Sequence, residues 1–356
     1  MSKIKLLSLV ILLFSQQLLF AETSKHLLTG RVIDLESNEP IKNVELFISG
    51  ATVGTTTNEN GEFTLKTPFL PCHLIVMHVS YQAVVLPITR SDDFSIKLSK
   101  INHGINEVSV KGKNMRKRNL RLFYNYFLWN TDKYQIQVLN DSILKFKRDE
   151  YDFHAYCNSP LLVRNKQLGY NIKILIQDFH VCKKRVKTGE KLKLKSDGTG
   201  VFQLKAYHYY SDDTIYSPEK RKKTIRNRRK HYYGSLRHFL TSLYHDNLRE
   251  NGFAIKTKRD SIRDPFVLTL AQNDKKCYKF NTDVVSVIYY HDYDDKPINL
   301  NYQFVGYSYL PSTFISLGKE FEVRPNGTSP ELQFEVKGAM GSSSPANTLP
   351  DDYSPN

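Results

Sequence analysis

Between Lys220 and Lys230 the chain reads Lys-Arg-Lys-Lys-Thr-Ile-Arg-Asn-Arg-Arg-Lys, with eight basic residues in eleven. Lys220, Arg221, Lys222, Lys223, Arg226, Arg228, Arg229 and Lys230 are therefore candidates for binding a polyanion. Clustered cations attract phosphates, acidic glycans and anionic surfaces over several ångströms. Wound into a helix, these charges would point to nearly every side, so the segment as a whole cannot be buried. The plainer alternative is a solvated helical extension that only aids solubility. A second basic stretch contains Lys111, Lys113, Arg116, Lys117, Arg118 and Arg121.

Residue patterns for catalysis are sparse. A zinc peptidase needs His-x-x-Glu with a later His, because three fixed ligands leave one position open for water. None of the eleven His residues is followed three positions later by Glu, and no Cys-x-x-Cys occurs. Gly306-Tyr307-Ser308-Tyr309-Leu310 imitates a serine nucleophile elbow without its second Gly and reads as a strand end. His245-Asp246 would be adjacent on a helix and so diverge by about 100°. Asp292, Asp294 and Asp295 lack the Gly and terminal Glu of a calcium loop and read as a turn before Pro297. The sequence thus assigns no catalytic residue, no metal ligand and no cofactor. The 22 Tyr residues leave carbohydrate stacking open, although most Tyr in sheets are packing residues.

The net charge of +15 is unevenly placed. Residues 22–100 hold 7 basic and 9 acidic side chains, whereas residues 101–356 hold 42 basic and 27 acidic. The first residues combine Lys3 and Lys5 with an apolar run to Phe20, then Ala21 and a polar Glu-Thr-Ser-Lys. That order predicts a signal peptide over 1–21 and an exported protein of the periplasm, outer membrane or cell surface. In that setting anionic lipid, lipopolysaccharide or another envelope protein are the expected partners, and nucleic acid is disfavoured. Cys72, Cys157, Cys182 and Cys277 permit two disulfides in an oxidising compartment, or isolated buried thiols.

The elements that must carry these residues fall into two regions. From Leu27 to Tyr81 short alternating strands are separated by turn residues, with Asn60-Gly61 suited to a tight hairpin turn. Strands are expected near 27–34, 43–49, 52–57, 62–66, 73–79, 83–88 and 94–99. Gly30-Arg31-Val32-Ile33-Asp34, Pro40-Ile41-Lys42-Asn43-Val44, Gly54-Thr55-Thr56-Thr57-Asn58, Gly61-Glu62-Phe63 and Ser80-Tyr81 resemble the carboxypeptidase-like regulatory domain. The resemblance implies a small transthyretin-like β-sandwich over 25–100. It also implies a cell-envelope setting, as at the front of TonB-dependent receptors of Bacteroidetes-type bacteria. Glu107-Val108-Ser109-Val110-Lys111-Gly112 looks like the segment that follows this module in those receptors, and 101–114 reads as a linker.

Residues 115–325 predict a second, α+β domain with an antiparallel sheet. A helix is expected from Arg116 to Trp129, with Leu120, Phe123, Tyr124 and Phe127 on one face. Strands are expected near 142–147, 151–157, 168–179, 200–210, 266–270, 284–290 and 300–307, with a turn at Asp197-Gly198-Thr199-Gly200. A long helix begins at Ser217-Pro218-Glu219, a good N-cap followed by Pro and an acidic first turn. Its apolar face is Leu236, Phe239, Leu240, Leu243 and Leu248, and Asn251-Gly252 is its expected stop. Gly234 could bend or divide it. Pro160-Leu161, Asn165-x-x-Leu168-Gly169-Tyr170, Asp178-Phe179, Tyr233 to Leu240 and Glu250-Asn251-Gly252-Phe253 resemble the domain after the regulatory module in a group of exported Bacteroidetes proteins. Residues 338–356 read as a disordered tail. The expected function is non-enzymatic binding or assembly in the envelope. A hydrolase of envelope polymers, or a component of a TonB-dependent uptake system, is the alternative. A pocket with convergent carboxylates or a His pair would favour the enzyme.

Overall fold

A computed structural model describes residues 26–355 apart from 102–112, 130–134, 150–151, 183–200, 214–216, 258–264, 273, 292–307, 331–333 and 342–343. The signal peptide, most of the linker, the 197–200 turn, the strand expected at 300–307 and Asp292 to Asp295 lie outside the described residues. The chain divides into two compact units, one comprising 1–49 and 53–103, the other 50–52 and 104–356.

Unit 1 is all β. Strands β1 (His26–Asp34), β4 (Glu62–Thr67) and β7 (Asp93–Leu98) form one sheet in the order β4-β1-β7. Strands β2 (Glu45–Ile48), β3 (Gly54–Thr56), β5 (Cys72–His78) and β6 (Tyr81–Ile88) form the other, in the order β3-β2-β5-β6. Only β1 and β7 pair in parallel. Leu28, Val32, Leu46, Ile48, Leu74, Val76 and Leu98 are fully buried, as alternating strands of a two-layer unit require. Phe47, on the opposite phase of β2 from Leu46 and Ile48, is buried too.

The motif residues of this unit are structural. The Asp34 carboxylate accepts the Glu36 and Ser37 amides and the Tyr81 hydroxyl (2.8, 3.0 and 2.8 Å) and faces Lys100. Those hydrogen bonds hold it far below the usual carboxylate range. Asn60-Gly61 is a tight turn, with Gly61 at φ +70°. It does not close a hairpin, however: β3 pairs with β2 and β4 with β1, so the turn carries the chain from one sheet to the other.

Unit 2 is α+β with three helices among its described residues. Its first sheet contains β8 (Ile136–Val138), β9 (Lys145–Arg148), β10 (Asp152–Tyr156), β11 (Leu161–Asn165), β12 (Tyr170–Cys182) and β13 (Val201–Asp212). The order is β8-β11-β12-β10-β9, and β13 runs antiparallel along β12. Helix α1 (Lys113–Phe127) sets the fully buried Phe123 and Phe127 into this core, beside Phe153 and Phe179. The expected helical face is therefore correct, although the helix starts at Lys113, inside the span read as linker.

The second half holds α2 (Pro218–Tyr232), α3 (Leu236–Tyr244) and two antiparallel sheets. One has the order β14-β17-β18-β20 (Phe253–Thr257, Val284–His291, Ser308–Ser316, Phe334–Gly338). The other is β15-β16-β19 (Phe266–Gln272, Lys275–Phe280, Phe321–Val323). Phe239, Leu240 and Leu243 of α3 pack into the core between them. The single long helix is divided at Gly234, whose φ is +76°. It also ends earlier than expected, at Tyr244, followed by Asp246 at φ +57°. Asp246 pairs with Lys276 at 2.6 Å and not with His245.

His238 stabilises the break. Its Nδ1 accepts the Gly234 amide at 3.1 Å, and Tyr232, Tyr233, Phe253 and Tyr289 surround the ring. Burial lowers its pKa from 6.5 to about 4. The unfolded chain therefore takes up the proton first as pH falls. Full stability is present above 6.5, and about 3 kcal/mol is lost between there and pH 4. His208 and His231 are shifted in the same direction. Denaturant titrations between pH 7.5 and 4 should show this loss. His238→Gln should flatten the slope by close to one proton, whatever its effect on absolute stability.

Among the described residues, 338–341 and 344–355 are not a disordered tail. Ser344 donates to the Phe127 carbonyl, and Ala346 is fully buried in the first core. Asn165 donates to the Ala346 carbonyl and the Asn347 side chain, and the Tyr210 hydroxyl meets Thr348. Arg237 donates to the carbonyls of Pro350, Asp351 and Tyr353. No disulfide joins the four cysteines.

Candidate functional site

Helix α2 begins where Ser217 caps the Lys220 amide at 3.4 Å. Its inner face is Thr224, Asn227, Arg228, His231 and Tyr232, a three- and four-residue spacing that puts one stripe against unit 2. Arg228 was expected in solvent with the other seven cations. Instead it donates to the Leu168 and Gly169 carbonyls (2.7 and 3.1 Å) and pairs with Asp212 at 2.6 Å. Its guanidinium also stacks 3.8 Å above the Tyr170 ring. Asn227 donates to the Gln167 carbonyl beside it. The Leu168-Gly169-Tyr170 motif is thus the dock for this helix.

Lys220, Arg221, Lys222, Lys223, Arg226, Arg229 and Lys230 are exposed. At 100° per residue Lys222, Lys223, Arg226, Arg229 and Lys230 share an outward arc of about 120°, opposite Thr224. Five cations on one side of a pinned helix make a field that a flexible tail would not hold in place. In the second basic stretch Arg116 is structural: it donates to the carbonyls of Asp141, Ser142 and Leu144.

A second constellation lies on the first sheet of unit 2. In the β10–β12 ladder Asp152 faces Cys182, His154 faces His180, and Phe153 faces Val181. The phenyl and valyl side chains enter the core, so the acid, imidazoles and thiol stand on the outer face. A β-bulge at Gln177 sets this phase. Before it, Tyr170, Ile172, Ile174 and Ile176 point inward; after it, Phe179 and Val181 do. Without the extra residue His180 and Cys182 would be driven into the core.

His180 Nε2 lies 2.6 Å from Asp152, and His154 Nδ1 lies 2.8 Å from Asp178. The two imidazoles stack 4.3 Å apart at 3°. The hydrogen bond from His180 holds the Asp152 carboxyl below its ordinary value. Burial, together with the nearby carboxylate, raises the Cys182 thiol. Sequence reasoning missed this group because its members come from strands 28 positions apart. Its local trace is the alternation Asp178-x-His180-x-Cys182 and Asp152-x-His154, which puts polar groups on one face of each strand.

Two cavities accompany these surfaces. One of about 420 Å3 beside α1 is lined by Lys117, Leu120, Arg121, Tyr124, Leu128 and Ile136 among others. One of about 390 Å3 is lined by His231, Ser235, Arg237, Thr328, Asn347 and Asp351 among others. The first has no carboxylate in its lining and the second has one carboxylate and one imidazole, short of the convergent pair that would favour an enzyme. The His pair is present, but on an open sheet face with His154 33% and His180 25% exposed.

A family model described as CarboxypepD_reg-like domain matches residues 28–110. No curated protein matches the chain in sequence. Among solved structures it is similar to an interface mutant of a type II cohesin–X-dockerin complex from Acetivibrio cellulolyticus, at 15% identity and a TM-score of 0.20. That match covers 30% of this chain and 78% of that one. It is also similar to a DUF3823 family protein from Bacteroides ovatus, at 10% identity and a TM-score of 0.18, over 53% of this chain and 96% of that one. At such TM-scores these likenesses bear on neither mechanism nor partner. The two-sheet architecture of unit 1 agrees with the family model, which identifies a CarboxypepD_reg-like domain over residues 28–110.

Proposed function

We propose that this chain is an exported, non-enzymatic protein of the cell envelope that binds a phosphate-bearing surface through α2. The observation that carries the reading is the outward arc of Lys222, Lys223, Arg226, Arg229 and Lys230 on a helix fixed by Arg228. The CarboxypepD_reg-like domain serves as a rigid mount, and anionic lipid or lipopolysaccharide is the partner. Binding to vesicles containing anionic lipid, and separately to lipopolysaccharide, should weaken steeply with salt. The Debye length falls from ~10 Å at 0.1 M to ~3 Å at 1 M.

Each basic residue near such a surface contributes roughly 1 kcal/mol. Replacing Lys222, Arg226, Arg229 and Lys230 together by Gln should therefore weaken binding by about two to three orders of magnitude. The fold should survive, because Arg228 and the apolar face of α3 are untouched. Wild-type protein that ignores both surfaces at low salt would remove the proposal. The stacked His154–His180 pair favours a second reading, a hydrolase of envelope polymers. That reading requires turnover of such a polymer that is lost in His180→Ala and kept in the four-fold Gln variant.

A further inference from the structure

We propose that Asp152, His180 and Cys182 form a zinc-binding site on the outer face of the β10–β12 ladder. A carboxylate oxygen, an imidazole nitrogen and a sulfur from these residues all lie within 4.8 Å of one another. A tetrahedral zinc ion with bonds of about 2.0–2.3 Å sets its ligand atoms ~3.3–3.8 Å apart. To hold an ion, the Asp152 oxygen and His180 Nε2, now 2.6 Å apart, must separate to ~3.3 Å and the Cys182 sulfur must sit within ~3.8 Å of both, adjustments of about an ångström that side-chain rotation can supply.

The donor set selects the metal class. Thiolate with imidazole and carboxylate suits zinc and excludes calcium or magnesium, which take oxygen ligands. All three donors stand on paired strands, which fix ligand positions more tightly than loops do. His154 stacks flat against the face of the His180 ring and is itself held by Asp178, so the plane of the ligand imidazole is set by a packed neighbour. Asp149 accepts the Asp152 amide at 2.7 Å, which places a further carboxylate at the strand start. None of these residues lies on α2, so the site stands or falls independently of polyanion binding.

The test uses the full chain in a reducing buffer without chelator. Titration with Zn2+ against a chromophoric competitor should show one ion bound per chain. Co2+ in its place should give a thiolate-to-cobalt charge-transfer absorption. Cys182→Ser and His180→Ala should each weaken Zn2+ binding by at least about 100-fold, since even residues supporting a ligand are worth 10–100-fold. Cys182→Ser should also abolish the charge-transfer band. Cys277→Ser, on a different sheet, should leave affinity and band unchanged. Wild-type protein without stoichiometric Zn2+ uptake would overturn the site. So would a charge-transfer band that persists in Cys182→Ser. Should either variant misfold by circular dichroism, the wild-type cobalt spectrum still decides, because absence of the thiolate band excludes Cys182 as a ligand.

Discussion

Deletion of residues 344–356 should leave unit 2 largely unfolded at ambient temperature. Nine described side-chain hydrogen bonds join this segment to residues 127–326 of unit 2. They run from Ser344 to Phe127, from Asn165 to Ala346 and Asn347, from Asn347 to His231, and from Tyr210 to Thr348. Arg237 and Asn326 supply the other four, at Pro350, Asp351 and Tyr353. At a net value of about 0.5–1.5 kcal/mol each, their loss removes roughly 5–13 kcal/mol. That is comparable to the whole stability of a typical domain. Deletion would also uncover the site of Ala346 in the first core and strand the Arg237 guanidinium, whose remaining described acceptor is the Asn326 carbonyl. Hydrogen exchange should show β11, β12 and α3 losing protection together, while unit 1 keeps its own. A truncated chain that retains full protection in those elements would show that the segment is a passenger.

Gly234→Ala should destabilise unit 2 by about 2–5 kcal/mol. The backbone there is left-handed, which costs an L-residue roughly 1–2 kcal/mol. An added Cβ would also lie 2.5 and 2.8 Å from the Cδ1 and Cε1 atoms of Tyr289, whose ring is 1% exposed and cannot step aside. Overpacking of a filled core adds about 1–3 kcal/mol. Gly318→Ala separates the two contributions. It has nearly the same φ, +75°, but nothing lies within 4 Å of its Cβ position. Thermal unfolding should therefore show Gly234→Ala about 1–3 kcal/mol worse than Gly318→Ala. Equal costs would mean that Tyr289 yields and that strain alone acts.

The first unit was legible because its signals are local. Alternation along β1, β4 and β5 and Gly61 in a positive-φ turn each act within a few residues, whereas the Asp34–Tyr81 hydrogen bond joins the two sheets across 47 positions. The tail was misread because Gly338 to Asn347 has little apolar surface of its own. Its order comes mainly from donors elsewhere, Asn165 and Arg237, reaching its backbone carbonyls. Composition measures what a segment can bury and does not register what another segment can donate to it. Arg228 was grouped with the exposed cations for a related reason. Nothing in a run of eight basic residues marks the one that meets the 168–170 turn. The division at Gly234 was visible as a glycine within a helical pattern, whereas the early end at Tyr244 depends on left-handed Asp246 and its pairing with Lys276.

The bulge at Gln177 has a meaning for comparing related chains. Strand β12 carries two messages in opposite phase, one written for the interior up to Ile176 and one for the surface from Asp178 onward. What separates them is a count, not a residue type. A homologue could keep Asp, His and Cys at aligned positions and still lose the outer ladder if it were one residue shorter between Ile176 and Asp178. It could also change Gln177 to almost anything and keep it. Chain length across that single step is therefore a sharper marker of the ladder's inheritance than identity at any of the residues that compose it.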